Sequence, residues 1–397
     1  MEPVSITDGS LLLRPPRSSD VPAVFAACQD PEIARWTTVP VPYALADAHR
    51  WVEVEVPLGW SGSTAPVWHV TDPADPSTVL ASIGLHHLDL EHGDGEVGYW
   101  TVPAARGRGI TTAAVRLVCR WAFDELGLHR VDWAAAVGNR ASRRVAEKAG
   151  FVVEGTTRQR LVTHGRREDA WYGGLLPRDL PPPERPVTWF ATPTTSVGTT
   201  QTQQAPAAWT APEGVEITAG ALHLRPFRPT DVDAIEPLIT EPQIAQWSPF
   251  RRTGTARDDA IRYIERAMDP ATGTGFAVVD ATSGELLGGT ALYGLDRDAG
   301  LGELGYWTVP AARGQGVAPR AAGATARWAF GALGLDRIEL WHAVENTASC
   351  RVAEAIGFRH ELNARESYRY GDGVRHDEHL HGRLATDRHD AAATDPT

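Results

Sequence analysis

Two stretches of the chain combine arginine with closely spaced glycines in a way that could hold an anion. They read GEVGYWTVPAARGRGIT (Gly95 to Thr111) and GELGYWTVPAARGQGVA (Gly302 to Ala318), 207 positions apart. In each, a strand-like run gives way to Arg-Gly-x-Gly and then to an Ala-rich amphipathic pattern of helical period. Glycine lets backbone approach a ligand closely, and the first N–H groups of a helix have no partner within it. Together with the helix dipole, such a turn suits a pyrophosphate. Arg106, Arg108 and Arg116 add positive charge in the first copy; the second offers Arg313, Gln315 and Arg320 in the same stretch. A tight turn alone would explain Gly107 and Gly109, or Gly314 and Gly316, equally well. Neither copy has the third glycine of the dinucleotide-binding G-x-G-x-x-G pattern.

The elements that must position these residues are duplicated too. Leu11–Trp36 matches Leu222–Trp247 at an offset of 211, whereas Trp121–Phe151 matches Trp328–Phe358 at 207. The first copy therefore carries four extra residues, best placed within Glu55–Trp68. A period this long marks a duplicated domain and not a solenoid. Each copy opens with a strand leading to Asp20 or Asp231, well placed as a helix cap. A polar helix follows, clearest over Thr255–Asp269, and then two strands joined by a turn. After the Arg-Gly-x-Gly turn, the Ala-rich helix ends at Gly127 or Gly334. A strand, a short helix and two final strands complete each copy. The pattern predicts a mixed α/β (α+β) fold, two tandem domains each with a central sheet flanked by helices. Their bounds are 1–179 and 215–385, with a Pro/Thr/Gln-rich linker at 180–214 and a disordered tail at 386–397. Trp189, Phe190 and Trp209 suggest that parts of the linker lie against a domain surface.

Composition narrows the chemistry. A length of 397 residues suits two domains, and 42% apolar with 22% charged residues suits a soluble protein. No apolar run approaches the ~20 residues of a membrane span. A net charge of −12 argues against nucleic acid as a partner and favours a monomer or homodimer. Three scattered cysteines, Cys28, Cys119 and Cys350, read as buried thiols of a reducing, cytoplasmic compartment. Lys148 is the sole lysine. It lies in RRVAEKAGF, where neither a Walker A loop nor a pyridoxal Schiff base could use it.

The order of motifs is more specific than any one of them. Strand E-V/L-G-Y-W-T-V, turn R-G-x-G-I/V, helix, strand, N-x-x-S-x-R-V-A-E and then G-F resembles the GNAT family of acetyl-CoA-dependent N-acetyltransferases, nearest its ribosomal-protein alanine branch. The resemblance covers about residues 4–178 and 215–385. It implies that Arg106, Gly107, Arg108, Gly109, Ile110 and Thr111, with Val102 and Asn139, bind acetyl-CoA. In the second copy the same role falls to Arg313, Gly314, Gln315, Gly316, Val317 and Ala318, with Val309 and Asn346. Thr111 departs from the small residue of the family's pyrophosphate motif, and Pro319 removes one N–H where amides are wanted. Amide formation requires the attacking amine to lose a proton and the departing thiolate to gain one. The resemblance assigns the first task to Glu96 and Glu303, against the alternative of solvated strand-end glutamates. Relatives often place a tyrosine acid seven residues after the asparagine, where this chain has Ala146 and Ala353. Ser142 and Ser349 then become the donors toward sulfur, although Asn plus Ser is also a helix-cap pair.

Other residues are weaker candidates. His376, His379 and His381 in HDEHLHG could suggest a metal, but alternating polar residues on a solvated face explain them, so no metal is expected. Cys350 has Arg143 as its counterpart and reads as incidental. Trp36, Trp51, Trp60 and Trp68 read as core, some of them lining an acceptor pocket. The expected function is direct acetyl transfer from acetyl-CoA to a primary amine, on a protein or peptide N-terminus or on a small molecule such as an antibiotic. The alternative is that one or both copies bind acyl-CoA without catalysis, as a sensor or scaffold.

Overall fold

The computed structural model describes residues 1–192, 214–247, 253–269 and 273–387 and divides into two units, Met1–Thr200 and Gln201–Thr397. Trp209 and most of the expected tail lie outside the described residues. None of the described helices is long and apolar enough to cross a membrane.

The first unit begins with strands β1 (Val4–Thr7) and β2 (Leu12–Arg14) and short helices α1 (Val21–Ala27) and α2 (Pro31–Trp36). Next comes a helical run, α3 (Leu45–Arg50), a π-helical turn over Trp51–Glu55 and α4 (Val56–Ser61). Strands β3 (Val67–Thr71), β4 (Ala81–Asp89) and β5 (Asp94–Thr101) lead to helix α5 (Ile110–Asp124). The unit closes with β6 (Val131–Ala136), α6 (Arg140–Ala149), β7 (Val152–Thr163), β8 (Arg166–Leu175) and β9 (Thr188–Ala191). The pairings give the sheet order β9-β1-β2-β3-β4-β5-β6-β8-β7, antiparallel except for β5 with β6. Strand β9 falls in the segment read as linker; Trp189 and Phe190 sit on it, opposite Ile6 and Ser5 of β1.

The second unit repeats the plan. Strands β10 (Ile217–Ala219) and β11 (Leu222–Pro226) precede α7 (Val232–Ile235), α8 (Pro242–Trp247) and α9 (Ala256–Met268). Then follow β12 (Gly273–Asp280), β13 (Leu286–Asp296), β14 (Leu301–Thr308), α10 (Val317–Ala332), β15 (Arg337–Ala343), α11 (Thr347–Ala355), β16 (Arg359–Arg369) and β17 (Arg375–Leu384). Its order is β10-β11-β12-β13-β14-β15-β17-β16, again with one parallel pair, β14 with β15, among the described strands.

The four extra residues of the first copy lengthen a helix. The run 45–61 replaces 256–268 and includes the π turn over Trp51–Glu55. It brings in Trp60, which packs edge-to-face on Trp68 at 4.9 Å, while Trp68 meets Trp121 at 5.2 Å. The second unit keeps a pair at the equivalent place, Phe276 against Trp328 at 5.4 Å. Trp60 and Trp68 are thus core, as their burial requires.

The expectation that Asp20 and Asp231 cap helices needs correcting. Both are buried, and each receives a two-pronged guanidinium contact, Asp20 from Arg14 at 2.7 and 2.8 Å and Asp231 from Arg225 at 2.9 and 2.7 Å. Neither side chain caps the helix that follows; each instead accepts the N–H of Arg17 or Arg228. A buried carboxylate needs such a partner more than an exposed helix end needs a cap. A second pair of buried ion clusters ties the sheet's far side: Arg130 to Asp132 and Glu154, and Arg337 to Glu339 and Glu361. Gly174 and Gly382 lie against these guanidinium groups, where a Cβ would collide.

Candidate active site

The site in each unit lies where the two parallel strands part. Pairing of β5 with β6 stops at Glu96 opposite Asp132, and pairing of β14 with β15 stops at Glu303 opposite Glu339. Beyond those carboxylates the edges diverge. In the first unit the gap opens into a cavity of about 870 Å³ lined by residues of β5, β6, α5 and α6 together with Trp36, Tyr43 and Trp51.

The turn before α5 has the geometry that the glycine spacing demands. Gly107 and Gly109 have φ of 76° and 78°, and Gly314 and Gly316 have φ of 75° and 73°, the left-handed region that disfavours any side chain. At Gly107 and Gly109 a Cβ would point into open space, so the same hollow is available to a ligand. No side chain caps α5 or α10, so their first-turn amides have no side-chain partner. In α10 one of those positions is Pro319, which has no N–H.

The arginines are less available than their number suggests. Arg106 pairs with Asp30 at 2.8 Å and donates to the Thr101 carbonyl at 3.1 Å. Arg313 pairs with Glu241 at 3.0 Å and bonds Gln243 at 2.7 Å. Both clamp the turn to the start of α2 or α8. Arg320 folds back onto the carbonyls of Gly316 and Gln315, and the Gln315 amide donates to Ala311. The Thr111 hydroxyl bonds Thr101 at 2.6 Å and is thereby turned from the turn's mouth. Val102 and Val309 commit both backbone groups: their N–H groups bond Leu80 and Leu287, and their carbonyls bond Ala105 and Ala312. Among the expected residues of the first unit, Glu96, Arg106, Gly107, Gly109, Ile110, Thr111, Asn139 and Ser142 line the cavity, while Val102 and Arg108 do not. Val317 is buried at the start of α10, beside Ala318.

Glu96 sits in a setting that favours its neutral form. Burial pushes its carboxyl above the usual carboxylate range, and Asp132 adds to this, opposed by Arg160 and His87. A carboxylate raised toward neutrality is a better proton acceptor than a solvated one. Its cross-strand neighbour is His86, which lines the cavity and whose pKa is pushed below the usual imidazole value chiefly by desolvation. Glu303 faces Tyr293 instead, and that hydroxyl hydrogen-bonds to the carboxylate. The glycine of each G-Y-W triplet allows these rings to cross the strand: a Cβ at Gly98 would meet His86 at 2.9 Å, and one at Gly305 would meet Tyr293 at 2.8 Å.

Asn139 and Asn346 are helix caps, each accepting the N–H of the serine three residues on at 3.1 and 3.2 Å. That cap leaves the serine hydroxyl to other partners. The Ser142 Oγ lies 3.1 Å from the Tyr99 hydroxyl and accepts the Trp133 indole N–H at 3.0 Å. The Ser349 Oγ lies 2.7 Å from the Tyr306 hydroxyl, with Leu340 in place of the indole. Burial raises both phenols well above their ordinary range, so they stay protonated donors. Sequence reasoning missed Tyr99, Tyr306, Trp133, His86 and Tyr293. The G-Y-W triplet repeated in both copies was the available signal for the tyrosines. Ala146 and Ala353, the positions where a tyrosine was sought, are fully buried.

Residues 10–152 and 221–359 each match the Acetyltransferase (GNAT) domain family. The chain belongs to the GNAT family. It is an N-acetyltransferase with two GNAT domains, and acetyl-CoA is the acetyl donor general to that family. YdaF of Bacillus subtilis, by its name a candidate ribosomal N-acetyltransferase, is 45% identical over 102 residues, which cover 26% of this chain and 56% of YdaF, just over half its length. YoaA of B. subtilis, an uncharacterized N-acetyltransferase, is 27% identical over 180 residues, 45% of this chain and all of that one. A solved GNAT-family acetyltransferase of Bacillus anthracis is 25% identical, covering 44% of this chain and 100% of its own, at a TM-score of 0.40.

One expectation outside the site fails. His379 and His381 do not alternate on a solvated face: His381 is fully buried and His379 half-buried, both beside His342. Burial and repulsion among the rings hold all three neutral, His381 down to about 3. Cys350 is not a buried thiol like Cys28 and Cys119 but partly exposed.

Proposed function

We propose that the first unit binds acetyl-CoA at the turn Arg106–Thr111 and transfers its acetyl group directly to a primary amine. The observation that carries this is a single cavity lined by Glu96, the glycine turn, Asn139 and Ser142 together. The N–H groups at the start of α5 hold the pyrophosphate, and the gap between β5 and β6 takes the arm bearing the thioester. Glu96, directly or through water, accepts the amine's proton as nitrogen bonds to the acetyl carbon. As the carbon–sulfur bond breaks, Ser142 Oγ gives its proton to sulfur and Tyr99 can resupply it. Trp133, donating to the same Oγ, aligns the serine proton away from itself. The acceptor enters past Trp36, Tyr43 and Trp51, where the wall carries both acidic and basic side chains, Glu32 and Glu168 beside Arg35 and Arg144. The name of YdaF, a candidate ribosomal N-acetyltransferase, favours a ribosomal acceptor over a free small molecule.

The second unit uses Glu303, Ser349 and the turn Arg313–Ala318 in the same way but less effectively. Pro319 removes an amide, Leu340 removes the indole donor, and Glu303 faces a tyrosine where Glu96 faces a histidine. A binding role without turnover is the second reading for this unit. The test is an amine panel, from peptides with free N-termini to aminoglycosides, assayed with the intact chain, Glu96→Gln and Glu303→Gln. Turnover abolished by Glu96→Gln with cofactor binding intact supports the proposal. Turnover untouched by Glu96→Gln overturns the assignment.

A further inference from the structure

Four side chains with no part in acetyl transfer converge in the second unit. Strands β15 and β17 run antiparallel with His342 opposite His379 and Leu340 opposite His381. Side chains directly opposite, and those two residues apart, share a face, so the three imidazoles lie together. Cys350, in the first turn of α11, brings its Sγ to 3.7 Å from His381 Nε2. One ligand atom from each of the four residues falls within 4.8 Å of the others.

The hydrogen bonding around these groups points to a missing partner. His342 Nε2 and His379 Nδ1 are buried without one, although buried imidazole nitrogens are normally satisfied, and the His381 ring meets Cys350 through its Nε2. His342 Nδ1 donates to the Ala343 carbonyl at 2.8 Å, which leaves the lone pair on Nε2. That is the arrangement in which a backbone carbonyl orients a ligating imidazole. A further ring, His360, packs on His379 at 4.6 Å but is engaged with Asn363.

The first unit shows that the fold does not require this cluster. By the same strand register, Ala135, Trp171 and Gly173 stand where the second unit has His342, His379 and His381, and Arg143 stands at Cys350. There the Arg143 guanidinium lies over the Trp171 ring at 4.8 Å. A cation stacked on an aromatic ring occupies the place where a thiol and imidazoles meet in the other unit.

We propose that His342, Cys350, His379 and His381 bind one divalent transition-metal ion of the zinc class. Three neutral nitrogens and one sulfur suit a borderline-soft ion in four-coordinate geometry and do not suit magnesium or calcium, which take oxygen ligands. Tetrahedral ligands at ~2.0–2.3 Å from zinc stand roughly 3.3–3.7 Å apart. The Cys350–His381 pair already meets that spacing, and small side-chain rotations bring in the rest. Binding deprotonates Cys350, so one proton is released as the sulfur–metal bond forms. The ion pins the first turn of α11 to β15 and β17, and that turn carries Ser349.

Cobalt(II) titration of the chelator-stripped full chain, followed by zinc competition, tests this. One equivalent should produce tetrahedral d–d bands and a thiolate-to-cobalt charge-transfer band, both erased by zinc. Cys350→Ser should abolish the charge-transfer band and weaken cobalt binding by more than the roughly 10–100-fold typical of losing an outer hydrogen-bond partner. Cys28→Ser should change neither. The double variant Cys350→Arg, His379→Trp imports the first unit's pair and should stay folded by circular dichroism while losing the ion. Folded wild-type protein without a charge-transfer band at one equivalent, or the same band in Cys350→Ser, would overturn the site.

Discussion

The two units share a scaffold and differ at the places where proton transfer would be decided. Both keep the splayed parallel strands, left-handed glycines in the turn, the asparagine cap and a tyrosine hydroxyl against the serine. Around that frame the first unit sets His86 beside Glu96 and Trp133 beside Ser142, where the second has Tyr293 and Leu340. The second adds a proline in the anion turn and a cluster of histidines under α11. Duplication preserved the strands, turn and caps and let the neighbours of the glutamate and serine diverge. The matching glutamates thus have different cross-strand neighbours, a histidine beside Glu96 and a tyrosine beside Glu303.

The sharpest way to break this contrast is at the carboxylates. Glu96→Gln should lower kcat/KM by about 10²–10⁴-fold, as loss of a general base does, and Glu303→Gln should cost the intact chain far less. The wild-type rate should climb with pH through an apparent pKa above the usual carboxylate value, because the ionised form of Glu96 is the active one. Rate–pH profiles should lose that limb in Glu96→Gln. Equal losses from both variants would erase the distinction between the units.

Next in size is a change that should treat the units alike. Arg337→Met leaves two buried carboxylates without their cation and Arg130→Met leaves one buried and one partly exposed, and each should destabilise its own unit by about 3–5 kcal/mol in denaturant unfolding. A smaller effect separates the serines. Trp133→Leu, which imports the second unit's residue, should remove about 0.5–1.5 kcal/mol of alignment, a factor of roughly 2–10 in kcat with little change in KM. The smallest is a gain: Pro319→Ala restores one amide and should tighten acetyl-CoA binding to the second unit by a similar factor or less, read by calorimetry.

Much of this was legible in the sequence because a duplicated pattern checks itself. The strand–turn–helix order around Gly107 and Gly314 follows from spacing alone, and the offset change located the insertion that lengthens the helix at Val56–Ser61. What escaped depends on contacts between distant segments. Asp20 reads as a cap because its neighbours in sequence suggest one, whereas Arg14 claims it from the adjoining strand and His69 adds a bond at 2.9 Å. The histidines at 379 and 381 alternate as surface residues do; only the strand register with β15 and the helix above them shows the face to be covered. Arg106 reads as a phosphate ligand in the sequence, and only the fold shows that Asp30 pairs with it. The availability of a charge is a property of three-dimensional neighbours.

Calorimetric titration of acetyl-CoA into the intact chain, Gly109→Trp and Gly316→Trp tests the central claim that each unit holds its own anion turn. The account predicts two sites in the wild type and one in each variant, the tighter one surviving in Gly316→Trp. Absence of binding, or two sites persisting after Gly109→Trp, would contradict it.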